Sequence, residues 1–282
     1  MTHIHIDLDT PHTLNRFYEG PARDDQPNDE YCHILLKRVA DFFSALQIKA
    51  TFFVITQDLQ LSRYTSLLKK MSQDGHEIAS HTHTHPYTKN NYSTRLFEEE
   101  IRLSCREIKS YFGFSPSGFR SPGYFLNEDI VRILIDEGFK YDSSIFNSAL
   151  SPLLNLAARL RGATGNVGTL EPLNPEVIIK SGLQEFPIPT FLGLPYYNNL
   201  NLYFPRLVRK GIAQIGAHRD LSPYLFHLIE FADYEKDLSY LPKNVLKHPN
   251  IMLPLQEKLE FAKNLIENCK RRGPINLTRD CI

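Results

Sequence analysis

The run Ala50-Thr51-Phe52-Phe53-Val54-Ile55, answered after a helical interval by His76-Glu77-Ile78-Ala79-Ser80, decides the architecture of this chain. The first run is rich in β-branched and aromatic side chains, the composition of a short buried strand. Residues 61–73 read as a helix that ends at Asp74-Gly75, and the second run reads as the next strand. Strand, helix and strand in succession make a βαβ unit, which sets the two strands parallel.

The same alternation extends in both directions. Residues 3–9, His-Ile-His-Ile-Asp-Leu-Asp, alternate strictly and predict a strand, and Pro11 to Asp29 is polar and turn-rich. Residues 33–46 place Leu35, Leu36, Val39, Phe42, Phe43 and Leu46 at helical spacing. Downstream, a helix over 93–112 carries Phe97, Ile101, Cys105, Ile108 and Phe112 on one face. Gly118-Phe119-Arg120, a helix over 127–137 and Phe139-Lys140-Tyr141 continue the pattern. The class is therefore α/β with a parallel sheet. Residues 145–220 break the rhythm with Pro, Asn and Gly, around apolar helical stretches at 149–161 and 205–215. Order returns at Tyr224-Leu225-Phe226-His227. The stretch from Leu253 to Arg272 reads as a helix with Leu255, Leu259, Ala262, Leu265 and Ile266 inward.

The 282 residues, 42% of them hydrophobic, suffice for one large core, and no linker divides them. We expect a single domain over 1–282 with an irregular insertion at about 145–220. The 32 basic and 32 acidic residues balance, which argues against a nucleic-acid binder. Glu98-Glu99-Glu100 and Lys270-Arg271-Arg272 read as solvated helix faces. Cys32, Cys105, Cys269 and Cys281 lie far apart, without metal-type pairing, and Cys105 falls on an apolar stripe as a buried thiol. No apolar run suits a cleaved leader or a membrane span, so a cytoplasmic protein with reduced thiols is expected.

Two further stretches carry chemistry. His81-Thr82-His83-Thr84-His85 supplies two imidazoles four residues apart with a third between them, and Asp7-Leu8-Asp9 supplies two carboxylates. Read alone, the histidines are polar residues at a strand exit and the aspartates cap turns. Together each is the partner the other needs to bind one divalent cation and leave a carboxylate free as a base. Zinc is the first choice, and cobalt, nickel or manganese suit the same donors. Asp7, Asp9, His81, His85, Arg120 and Asp142 all follow predicted strands. In a barrel of parallel strands that places them on one face.

Lys49-Ala50-Thr51-Phe52-Phe53-Val54, with Gly75 through Pro86, resembles the polysaccharide deacetylases of carbohydrate esterase family 4, which carry a His-Ser/Thr-x-x-His motif. Gly118-Phe119-Arg120-Ser121-Pro122-Gly123 resembles their Arg-x-Pro motif, and Leu225-Phe226-His227 their Leu-x-His motif. The resemblance implies a distorted (β/α)7 barrel that hydrolyses an N-acyl group on a sugar. It assigns Asp9, His81 and His85 to the metal, Asp7 as general base and His227 as acid. Arg120 would orient Asp7, and backbone N–H groups near Gly123 and Tyr124 would hold the oxyanion.

The chain departs from that pattern in places. Leu8 separates the two aspartates, a form met in cytosolic relatives resembling the peptidoglycan-type deacetylase and the lipid-linked aminosugar deformylase. No tryptophan is present to build an aromatic wall, and Phe139-Lys140-Tyr141-Asp142-Ser143-Ser144 is the expected substitute. Asp142 either orients His227 or caps a turn. Glu230 either reaches over the sugar or forms a salt bridge. His83 should point away from the metal, and His3 and His5 read as ordinary histidines.

The resemblance and the expected cytoplasmic placement imply an aminosugar, on a nucleotide or polyprenyl carrier, that loses an acetyl or formyl group during assembly of O-antigen or another surface polysaccharide. A small or cyclic amide is the alternative substrate. A carbohydrate-binding relative without catalysis is a third reading, against which Asp7, Arg120 and His227 argue. The stretch 149–161 reads as a cover over the core or as a contact with a membrane surface. Tyr196, Tyr197, Tyr203 and Phe204 either stack on sugar or form a local core. Sequence does not fix the oligomeric state.

Overall fold

A computed structural model describes residues 2–19, 27–86, 93–145, 156, 159–160, 181–191, 194–202, 204–215, 222–248 and 250–282. The chain runs β1 (Ile4–Asp7), α1 (Pro11–Glu19), α2 (Asp29–Ala45), β2 (Thr51–Val54), α3 (Ser62–Gln73), β3 (Glu77–Ser80), α4 (Thr94–Phe112), β4 (Gly118–Phe119), α5 (Glu128–Asp136) and β5 (Tyr141–Asp142). There follow β6 (Gln184–Glu185), the hairpin β7 (Thr190–Phe191) and β8 (Leu194–Pro195), α6 (Asn198–Asn201), α7 (Arg206–Ile215), β9 (Tyr224–His227) and α8 (Leu255–Arg272).

Among the described residues seven strands form one sheet in the order β6-β5-β4-β3-β2-β1-β9. Every pairing in it is parallel, and the sheet curls into a half-barrel of the (β/α)7 type. Asp7 pairs with Phe53 on one side and with His227 on the other, while Ser80 pairs with Phe119 and Phe119 with Asp142. This register brings the carboxyl ends of the strands to a common level.

The alternation of residues 3–9 does not mark a solvent face, because all of β1 is buried. Ile4 and Ile6 join the core under the helices. His5 and Asp7 face the barrel interior, where His5 meets Phe53 edge-on at 5.1 Å and the Arg120 guanidinium lies 4.1 Å from the same ring. The main core packs Leu35, Val39 and Phe43 of α2 against Phe52 and Phe226. A second cluster packs Phe97 and Ile101 of α4 and Ile130 and Leu134 of α5 under Phe119.

Local capping chemistry explains the helix starts. The Asn28 side chain accepts from the Tyr31 N–H at 2.9 Å, and Ser93 and Asn127 cap α4 and α5 in the same way. The turn-rich stretch after Pro11 is in part helical. Pro11 opens α1, where its missing N–H is no loss, and the Thr10 carbonyl accepts from Leu14 N–H at 3.0 Å. Three smaller expectations also shift. Cys105 is half-buried, Lys258 rather than Leu255 or Leu259 takes a fully buried place on α8, and Glu100 is buried. Of the helix expected over 149–161 only residues 156 and 159–160 lie among the described residues, and Tyr203 lies outside them. No helix among the described residues is long and apolar enough to cross a membrane.

Candidate active site

Asp9 leaves β1 on the same side as Asp7, and His81 leaves β3 next to it. Asp9, His81 and His85, all buried, bring one ligand atom each to within 4.8 Å of one another. His81 Nε2 lies 3.6 Å and His85 Nε2 3.4 Å from Asp9 Oδ1. The histidine tract is a turn in which Thr82 (φ 65°) and His85 (φ 58°) adopt left-handed backbone, which places both rings on the same side. Such conformations need outside support, and Glu100 of α4 supplies it. Its carboxylate accepts from the His83 and Thr84 N–H groups at 2.9 and 2.7 Å and from the Thr84 hydroxyl at 2.7 Å.

These three donors fit a metal ion. His81 Nδ1 lies 2.7 Å from the Arg120 carbonyl, which can only accept, so the proton sits on Nδ1 and the Nε2 lone pair is left for a ligand. Asp9 Oδ1 is buried without a hydrogen-bond partner among the described residues. An unpaired buried carboxylate oxygen is costly unless a cation meets it. Two imidazole nitrogens and one carboxylate oxygen are donors that zinc and similar cations accept. Burial raises the Asp9 carboxyl, and burial followed by His81 and Arg16 lowers the His85 imidazole, which keeps a lone pair at neutral pH.

Asp7 and Arg120 form a fully buried ion pair, Arg120 Nη1 to Asp7 Oδ1, at 2.7 Å. Burial pulls the Asp7 carboxyl upward, but Arg120, His81 and His227 outweigh it and hold the group below the ordinary aspartate range. Asp7 Oδ2 lies 3.8 Å from His227 Nε2, which is also 3.1 Å from the Tyr124 hydroxyl. On the other edge of the ring His227 Nδ1 faces Glu230 Oε1 at 3.3 Å. Burial lowers the imidazole, but Glu230 and Asp7 raise it further, to about 9. The site thus pairs an ionised carboxylate with a protonated imidazole beside a cation cradle.

Several expected roles move. Asp142 does not orient His227. It accepts from the Ser144 N–H at 2.9 Å and hydroxyl at 2.7 Å, and Glu185 lies against it. Glu230 follows the salt-bridge reading, with Oε1 facing His227 Nδ1, and Asn198 Nδ2 donates to its second oxygen at 2.6 Å. Gly123 and Tyr124 both have left-handed backbone, but the Tyr124 N–H donates to the Ser121 carbonyl at 3.0 Å and is not free for an oxyanion. The Tyr124 hydroxyl faces the site instead. Phe139 and Tyr141 are core residues, Tyr141 donating to Glu77 at 3.0 Å, so they build no wall over the pocket. The aromatic ring beside His227 is Tyr197, half-buried, with centroids 6.0 Å apart. His83 faces Thr56 Oγ1 at 3.0 Å, outside the three-ligand cluster. His5 is more than an ordinary histidine: it is fully buried against Arg120. Glu100, Asn198 and His5 carry no sequence signal at their own positions, because each acquires its role from a partner far along the chain.

The profile of the family described as polysaccharide deacetylase matches residues 24–141. Over 117 residues the chain is 30% identical to peptidoglycan-N-acetylglucosamine deacetylase of Bacillus cereus, covering 42% of this chain and 51% of that protein. It is 26% identical over 119 residues to peptidoglycan deacetylase of Helicobacter pylori, covering 42% of this chain and 39% of that protein. The chain thus spans about half or less of the length of these curated relatives. The fold is shared with a Mycobacterium smegmatis structure described as a candidate polysaccharide deacetylase, at TM-score 0.57 and 15% identity over 99% of this chain and 87% of that one. The chitin deacetylase of Colletotrichum lindemuthianum aligns at TM-score 0.51 and 14% identity over 100% of this chain and 86% of that one. The chain thus resembles the polysaccharide deacetylases in its profile match over residues 24–141 and shares with the solved structures its half-barrel of parallel strands.

Proposed function

We propose that the protein hydrolyses the N-acyl group of an aminosugar during cell-surface polysaccharide assembly, with acetyl ahead of formyl as the group removed. One observation carries the reading: beside the Asp9–His81–His85 cradle lie a carboxylate held ionised by Arg120 and, 3.8 Å from it, an imidazole held protonated by Glu230. The names of the curated relatives support acetyl as the group removed and an aminosugar as its carrier.

Asp9, His81 and His85 would hold the metal, which when bound supplies a Lewis acid that polarises the carbonyl and acidifies water. Asp7 takes a proton from the attacking water at Oδ2, its Oδ1 being occupied by Arg120. His227 gives the proton at Nε2 to the departing nitrogen, which must be protonated to leave as an amine. One proton is gained at Asp7 and one lost at His227, so the net charge of the site does not change. Tyr124 holds the same Nε2 edge and fixes the direction of delivery.

The test combines metal content, for wild type and Asp9→Ala, with acetate and formate release. The substrates are N-acetylglucosamine oligomers, peptidoglycan fragments, and nucleotide- and polyprenyl-linked aminosugars. One metal per chain, lost in the variant, with acid released by the wild type, is the expected result. Metal retained with no acid from any of these sugars would reject the substrate class, and no metal would reject the mechanism.

A further inference from the structure

His5 and Thr278 lie on the amino side of the base, away from the metal cradle. His5 Nε2 is 2.7 Å from Thr278 Oγ1, and His5 Nδ1 is 2.7 Å from Arg120 Nη2. Arg120 continues to Asp7 through Nη1. All four side chains are buried to within 2% of complete exclusion from solvent. We propose that Thr278, His5 and Arg120 form a hydrogen-bonded relay that aims Asp7, with His5 and Thr278 as positioning residues for the base. The proposal rests on the reading of Asp7 as the base.

The direction of each bond follows from the donors. A guanidinium can only donate, so His5 Nδ1 accepts from Arg120 and its proton must sit on Nε2. That Nε2–H then donates to Thr278, which locks the ring as one neutral tautomer. Arg120 uses two further donors on Ser143, Nε to the carbonyl at 2.8 Å and Nη2 to the hydroxyl at 2.7 Å. A planar guanidinium held at Nε and Nη2 has no rotation left, so the direction of Nη1 is fixed and with it the Asp7 carboxylate. Thr278 is itself held in place. Ile275 bridges to Thr2, the Asn276 N–H donates to the Thr2 carbonyl at 3.0 Å, and the Arg279 N–H reaches Glu77 at 3.4 Å. Segment 275–281 therefore supports the active site from the far end of the barrel.

Two glutamine-type replacements separate the two ends of the ring. His5→Asn retains an acceptor where Nδ1 faces Arg120, whereas His5→Gln retains only a group where Nε2 faces Thr278. The relay predicts that His5→Gln lowers kcat by about 10-fold or more, in line with the cost of a small misplacement. KM and metal content stay unchanged, and His5→Asn recovers much of the loss. Nitrogen-15 NMR of histidine-labelled protein, with His5 identified by its loss in His5→Asn, should show a neutral ring protonated at Nε2 and bare at Nδ1. Thr278→Val should shift the Nε2 resonance. A ring protonated at Nδ1, or a full kcat in His5→Gln where Asp7→Asn is inactive, overturns the relay. Absence of turnover in the wild type overturns the deacylase reading alone, and the nitrogen shifts still decide the relay.

Discussion

His227 holds its proton because two carboxylates face one ring, Glu230 at Nδ1 and Asp7 beyond Nε2, and their attraction exceeds the effect of burial. A folded value of about 9 against an ordinary 6.5 means that the acid form is present below that pH and lost above it. The rate should fall as pH rises through about 9, and Glu230→Gln should move that limb down by about one unit or more, read from the pH dependence of kcat. The same sign governs stability. The pair's contribution is complete below 6.5 and lost as pH rises through about 9, so the melting temperatures of wild type and Glu230→Gln should converge in alkali. Asp7→Asn should reduce kcat by roughly 10²–10⁴-fold with metal retained, as measured by turnover and metal content. Loss of metal in that variant would reverse the roles of Asp7 and Asp9. Asp7, Asp9, His81, His85, Arg120 and His227 were legible as residue types at telling spacings. Glu230 was legible as a neighbour of His227, but its direction was not, because Asn198 holds its other oxygen from 32 residues away.

The turn that carries His81 and His85 depends on another element. Glu100 belongs to a run of three glutamates that reads as a solvated face, yet the helical phase of α4 turns it inward toward the backbone of residues 83 and 84. Glu100→Ala would leave two amide donors without their partner. The expected loss is about 1–3 kcal/mol of stability in a denaturant titration and a roughly 10–100-fold weaker metal affinity in a competition assay. Unchanged metal affinity would show that the turn holds its shape alone. The helices with apolar stripes were legible to within a few residues. Helix α1 was not, because its start signal, Thr10 before Pro11, sits inside a stretch whose composition suggests a loop.

Among the described residues seven parallel strands place Asp7, Asp9, His81, Arg120 and Asp142 at one end of the sheet, and that arrangement was legible from the βαβ rhythm. The rhythm could not reveal that the second face of β1 is the barrel interior, since a polar residue facing a closed site alternates in sequence like one facing water. The sheet is held by α2, whose Phe43 touches Phe52 and Phe226 across two strands that flank β1. Phe43→Ala should therefore cost roughly 3–5 kcal/mol in equilibrium unfolding. A much smaller loss would mean that the neighbouring rings close the gap.

Arg120 has two loyalties: its carbonyl belongs to His81 and its side chain to Asp7. A change confined to the side chain leaves the carbonyl where it is, so a single codon can silence the base without touching the cation cradle. If Asp7 is the base as proposed, a variant altered only at this side chain would keep the Asp9, His81 and His85 donors for a metal while losing turnover.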